Sequence, residues 1–122
     1  MEPAKILVVD DERHLVRIII FNLKKSGYIT DFAHDGEEAL AKVAEFKPDL
    51  VILDVMMPKL TGYQVCEKMK ADESMSSIPI ILLTAKGQDP DRDMAHKFGA
   101  DEYMTKPFSP RLLMDTVARL LS

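Results

Sequence analysis

Four places in this 122-residue chain carry side chains that could do chemistry together. Each follows directly on, or closes, a largely apolar run: Asp10-Asp11-Glu12 after Ile6-Leu7-Val8-Val9, Asp54 after Leu50-Val51-Ile52-Leu53, Thr84-Ala85 after Ile80-Ile81-Leu82-Leu83, and Lys106-Pro107 after Tyr103-Met104-Thr105. If Asp10, Asp11 and Asp54 converge, their charges repel, and burying them without compensation is costly. A bound divalent cation resolves the repulsion. Oxygen-only ligands with open positions left over suit Mg²⁺ or Mn²⁺, which often share their remaining positions with a phosphate. No His or Cys stands in the set, which argues against zinc. Thr84 brings a hydroxyl and Lys106 an ammonium with three donors, together able to hold phosphoryl oxygens. A carboxylate can itself be the nucleophile of phosphoryl transfer, and Asp54, at the centre, is best placed to form the acyl phosphate.

Those residues meet only if the apolar runs lie side by side. Five runs recur, Lys5 to Val9, Tyr28 to Ala33, Asp49 to Leu53, Pro79 to Thr84 and Asp101 to Thr105, each followed by an amphipathic stretch with helix signals. Asp35 with Glu38 and Thr61 with Gln64 read as capping boxes. Asp89-Pro90 and Ser109-Pro110 each set a cap before a proline suited to the first helical turn, and Gly27 and Gly99 stand where helices should end left-handed. The pattern predicts an α/β fold, (βα)₅, with a doubly wound five-stranded parallel sheet. The first, third and fourth runs are continuously apolar and belong at its centre, while the mixed second and fifth belong at the edges. The order 2-1-3-4-5, an arrangement already known from flavodoxin-like proteins, meets that condition and puts a ligand crevice beyond strands 1 and 3.

Composition narrows the function classes. With 16 Lys and Arg against 20 Asp and Glu the net charge is −4, which disfavours direct nucleic-acid binding because a phosphate track needs surplus cations. The length suits a single domain over residues 1–122. One cysteine, Cys66, excludes an internal disulfide and fits a reducing compartment. No apolar run reaches the roughly 18 residues of a membrane span and no signal-peptide pattern opens the chain, so the expectation is a cytoplasmic protein with no membrane contact.

In their order and spacing, Val8-Val9-Asp10-Asp11-Glu12, Leu53-Asp54-Val55-Met56-Met57-Pro58, Gly62, Leu83-Thr84-Ala85, Gly99-Ala100-Asp101-Glu102-Tyr103 and Lys106-Pro107-Phe108 resemble the receiver domain of two-component response regulators, the CheY-like family. The resemblance spans nearly the whole chain. It implies that Asp54 accepts a phosphoryl group from a sensor histidine kinase or histidine phosphotransfer protein. It also implies that Asp11 and Asp54 ligate Mg²⁺, that Asp10 does so through a water, and that Met56 lends its backbone carbonyl. Thr84 and Lys106 would hold the phosphoryl oxygens, Ala85 would leave room for them, and the Lys106-Pro107 bond would be cis. Phosphorylation would draw Thr84 inward, turn Tyr103, and reshape the face made by helix 4, strand 5 and helix 5 for a downstream effector or a self-dimer. Such a protein catalyses only its own phosphorylation and slow dephosphorylation and is not otherwise an enzyme.

Rival readings meet specific obstacles. A flavodoxin-like electron carrier needs a Ser, Thr and Gly-rich loop after strand 1, where this chain has three acids. An aspartyl-phosphate hydrolase of the haloacid dehalogenase type needs an acid two residues after its nucleophile, and a thioether, Met56, stands there. A degenerate receiver used only for docking or dimerisation should lack site residues, yet the main ones are present. Taken singly, Asp10 or Asp11 could be a helix cap, Thr84 a strand-end hydroxyl, Lys106 a solvated cation and Tyr103 an edge aromatic. His14, His34 and His96 read as surface residues, and Met69, Met94, Met114 and Cys66 as packing. Helix 5 is broadly apolar and lacks a basic partner for Asp101 between Leu112 and Ala118, which weakens a charged dimer face.

Overall fold

Strand β1 (Lys5–Val9) explains the architecture in miniature, because its alternate side chains enter two different cores. Ile6 and Val8 face one cluster and Leu7 and Val9 the other, all with no exposed surface. A strand covered on both faces has no polar positions to spare, which is why it reads as an unbroken apolar run. The computed structural model describes residues 2–85, 97–106 and 108–122. The other strands are β2 (Ile29–Ala33), β3 (Leu50–Asp54), β4 (Ile80–Ala85) and β5 (Glu102–Lys106). All neighbours pair in parallel, in the order β2-β1-β3-β4-β5, as expected.

Helices α1 (Arg13–Lys25), α2 (Gly36–Phe46), α3 (Gly62–Ala71) and the C-terminal helix (Pro110–Leu121) cover the two faces. Val16, Ile19 and Leu23 of α1 join Leu113 and Val117 of the C-terminal helix on the Ile6 and Val8 face. Ala39 and Val43 of α2 join Val65, Cys66 and Met69 of α3 on the Leu7 and Val9 face. Each fully buried Leu or Ile contributes about 1.5–3 kcal/mol, so the central strands hold the sheet rigid beneath the site at their ends. Cys66 is fully buried, and burial pushes its thiol up to about 12, which makes it packing rather than a reactive group.

The helix ends follow the sequence closely. Thr61 and Gln64 form the full reciprocal capping box, and Ser109 accepts from the Leu112 N–H with Pro110 in the first turn. Asp35 accepts from the Glu38 N–H, but the Glu38 carboxylate reaches one residue further back, to the His34 N–H at 2.7 Å. Gly27 and Gly99 take the left-handed backbone expected of them, at φ +94° and +95°. The predicted cap at Asp89-Pro90, the fourth helix, His96, Met94 and the Lys106-Pro107 bond lie outside the described residues. Leu112 is exposed, whereas Leu113 and Val117 are buried. Asp101 is tied within the chain, its Oδ2 accepting from the Ile80 N–H at 2.8 Å with Lys70 at 3.9 Å. Among the described residues no helix is long and apolar enough to cross a membrane.

Candidate functional site

Because β1 and β3 are adjacent and in register, the residues leaving their carboxyl ends share one crevice. Asp54 is the last residue of β3 and Asp10 follows β1 directly, and both are buried. Asp10, Asp11 and Asp54 each offer a carboxylate oxygen, with all three oxygens within 4.8 Å of one another. Lys106, the last residue of β5, reaches across: its Nζ stands 2.8 Å from Asp10 Oδ2, 3.1 Å from Asp54 Oδ1 and 4.0 Å from Glu12 Oε2. The predicted acids and the predicted lysine therefore meet.

The electrostatics leave that cluster under-compensated. Burial pushes the Asp54 carboxyl up to about 6, the neighbouring Asp10 charge adds to the rise, and Lys106 opposes it. Burial works against the Lys106 ammonium, but Asp10 and Asp54 outweigh it, so its pKa lies above the ordinary lysine value. Three carboxylates face one ammonium, which leaves two negative charges to be met by solvent or a cation. An all-oxygen donor set with surplus charge and one exposed member, Asp11, fits a hard divalent ion, which keeps several waters.

The remaining predicted residues stand around this centre. Thr84 is fully buried in β4, and its hydroxyl donates to the Met104 carbonyl of β5 at 3.4 Å. Tyr103 is half-buried and packs against the core cluster on the α2 and α3 face. Met56 is exposed in the loop after β3. Ala85 lines an open cleft of about 450 Å³ with Glu12, Leu15, Lys106 and Phe108.

Two supporting residues escape a reading by residue type. Gly62 opens α3 against the backbone of the acceptor strand: its N–H donates to the Val55 carbonyl, and a Cβ there would stand 2.4 Å from the Asp54 carbonyl oxygen. Only glycine allows that approach. His34, expected to be a surface residue, is half-buried instead, with its ring Nδ1 3.0 Å from the Asp10 carbonyl oxygen. The available signal was its position. β2 ends at Ala33 opposite Val9, so the next residue of each strand, His34 and Asp10, must stand together.

Comparison with known proteins agrees with this geometry. Residues 6–118 match the family model of the response regulator receiver domain. The chain is 50% identical over 117 residues, 96% of its length, to the alkaline phosphatase synthesis transcriptional regulatory protein PhoP of Bacillus subtilis, and covers 48% of that protein. A probable transcriptional regulator, ycf27, of Cyanophora paradoxa is 50% identical over 121 residues, 99% of this chain and 49% of its own. The chain thus spans about half the length of these curated relatives. Among solved structures, a putative response regulator from Chloroflexus aurantiacus superposes with a TM-score of 0.92 at 32% identity, covering 98% of both chains. The chemotaxis response regulator CheY4 of Vibrio cholerae does so with a TM-score of 0.89 at 32% identity, covering 98% of this chain and 99% of its own. On the fold, the acidic crevice and these likenesses together, the chain belongs to the response regulator receiver domain family and is a receiver domain of two-component signalling.

Proposed function

We propose that this receiver accepts a phosphoryl group on Asp54 from the phosphohistidine of a sensor histidine kinase or a histidine phosphotransfer protein. One observation carries the reading: a buried carboxylate with a lysine ammonium 3.1 Å away and two further carboxylates beside it. In the transfer an Asp54 oxygen attacks phosphorus, the P–O bond forms as the P–N bond breaks, and the imidazole leaves as the neutral base or takes a proton from solvent. Asp11 and Asp54 would hold Mg²⁺ (or Mn²⁺), with Asp10 acting through a water and Met56 through its carbonyl. When bound, that ion supplies positive charge opposite the phosphoryl oxygens.

The chain's own residues do the rest. Lys106 must hold Asp54 ionised for attack, then move with the phosphoryl oxygens; its long stem and three donors suit both tasks. Thr84 must leave the Met104 carbonyl to reach the same oxygens. That exchange pulls on β5, which carries Tyr103, and biases the face of strand 5 and its flanking helices toward an effector or a second copy. Met56 offers no base to activate water, so the aspartyl phosphate turns over slowly and the domain is a switch rather than an enzyme in its own right. The reading also includes a cytoplasmic location and no direct contact with nucleic acid.

The test is transfer from a phosphorylated histidine phosphotransfer protein, followed by intact mass. The parent should gain one phosphoryl group in Mg²⁺ and none with excess chelator, and Asp54→Asn should gain none. Phosphorylation that persists in Asp54→Asn at the parent rate would overturn the assignment.

A further inference from the structure

We infer that His34 is a positioning residue for the acidic site: its ring fixes the peptide plane between Asp10 and Asp11 and thereby aims Asp11. The inference rests on the cation site proposed above. A carbonyl oxygen only accepts, so the 3.0 Å contact requires that Nδ1 carry a hydrogen and donate to the Asp10 carbonyl. That carbonyl belongs to the peptide whose other end is the Asp11 nitrogen, so holding it holds the direction in which Asp11 leaves the strand.

Asp10 needs no help for its own sake. Its N–H donates to the Ala33 carbonyl, its Oδ1 accepts from the Glu12 N–H, and its Oδ2 accepts from Lys106. Asp11 is different. It is exposed, and among the described residues no hydrogen bond or ion pair holds its carboxylate. Its place in the crevice is inherited from the backbone, which the Asp10 carboxylate holds at the Glu12 N–H and the ring of His34 holds at the Asp10 carbonyl, the peptide that leads into Asp11.

His34 is itself held, at its backbone and at its ring. Its backbone N–H donates to the Glu38 carboxylate at 2.7 Å, and Glu38 is fixed in the first turn of α2, where Asp35 caps its N–H at 2.8 Å. Phe32 lies against the imidazole with ring centroids 5.1 Å apart and planes tilted by 44°. A chain of contacts thus runs from the start of α2 through His34 to the acid pair. Partners that orient a ligand without touching the ion typically matter about 10- to 100-fold in metal affinity. Acting through the backbone, His34 should lie at or below the lower end.

The test compares the parent, His34→Leu and His34→Asn by isothermal titration with Mg²⁺ alone, beside thermal unfolding. Asn sets its Nδ2 where the imidazole has Nδ1 and can donate to the same carbonyl. His34→Leu should weaken Mg²⁺ binding about three- to tenfold, and His34→Asn should restore it to within about twofold of the parent. Equal affinity in a folded His34→Leu, or equal weakening in both variants, would overturn the inference. Failure of the parent itself to bind Mg²⁺ would instead overturn the cation site on which it rests. If His34→Leu does not fold, the ring of the parent decides. Long-range proton–nitrogen spectra should show a hydrogen on Nδ1. A hydrogen on Nε2 alone contradicts the contact.

Discussion

Replacing Asp54 by Asn should stabilise the cation-free protein, and by an amount that depends on pH in a stated direction. Burial and the Asp10 charge raise the Asp54 carboxyl from the usual 3.8 to about 6. At about 1.4 kcal/mol per pH unit, keeping the ionised form in place costs about 3 kcal/mol. Between those two values the native state binds the proton more tightly than the unfolded chain does. Unfolding then releases protons, and stability falls as pH rises through the window, with the full deficit present above about 6. Asn has no charge to bury and keeps the shape, while Lys106 retains Asp10 at 2.8 Å. Urea unfolding of parent and variant should therefore show Asp54→Asn ahead by about 2–3 kcal/mol near pH 8, with the gap shrinking below about 1 kcal/mol near pH 4. The difference between the two proteins isolates this site from carboxylates such as Asp35 and Asp72, whose depressed pKa values act in the opposite sense in both. Saturating Mg²⁺ should narrow the gap by stabilising the parent. Equal stability at pH 8, or an advantage that grows toward acid, would refute the reasoning.

Further outcomes follow from other parts of the molecule. Gly62→Ala would drive a Cβ to within 2.4 Å of the Asp54 carbonyl oxygen, so it should cost about 2–4 kcal/mol in urea unfolding and slow phosphorylation of the protein that remains folded. Ser109→Ala removes the acceptor for the Leu112 N–H at the start of the C-terminal helix; a loss of about 1 kcal/mol, read as a fall of about 4 °C in Tm, is expected. Met56→Glu should shorten the aspartyl phosphate lifetime about tenfold, below the full 10²–10⁴ of a well-placed base, and an unchanged lifetime in both Met56→Glu and Met56→Asn would show that the exposed thioether is not what slows hydrolysis.

What the sequence discloses here depends on whether a feature is local. The strands are legible because Ile6 to Val9 and Ile80 to Leu83 are buried on both faces, and two-sided burial leaves its mark residue by residue. Caps such as Thr61 with Gln64 are legible because both partners lie within one turn. Asp10, Asp54 and Lys106 are legible as a set because parallel topology forces strand ends together. His34 is hidden for the complementary reason. Its partner is a backbone carbonyl 24 residues away, which no side-chain pattern announces and only the register of β1 with β2 brings near. Gly62 is hidden in its purpose too, since what it must avoid is the carbonyl of Asp54, visible only once α3 packs against β3. The exchange that engages Glu38 with His34 in place of Asp35 shows the same limit at the scale of a single residue.

The central claim is that Asp54, among three clustered carboxylates, is the one that becomes an acyl phosphate. Acetyl phosphate with Mg²⁺ should load the site, and borohydride reduces an acyl phosphate to an alcohol while leaving ordinary carboxylates untouched. Peptide mapping after that reduction should find the Asp54 side chain converted and Asp10 and Asp11 unchanged. Conversion at Asp10 or Asp11, with Asp54 intact, would contradict the account.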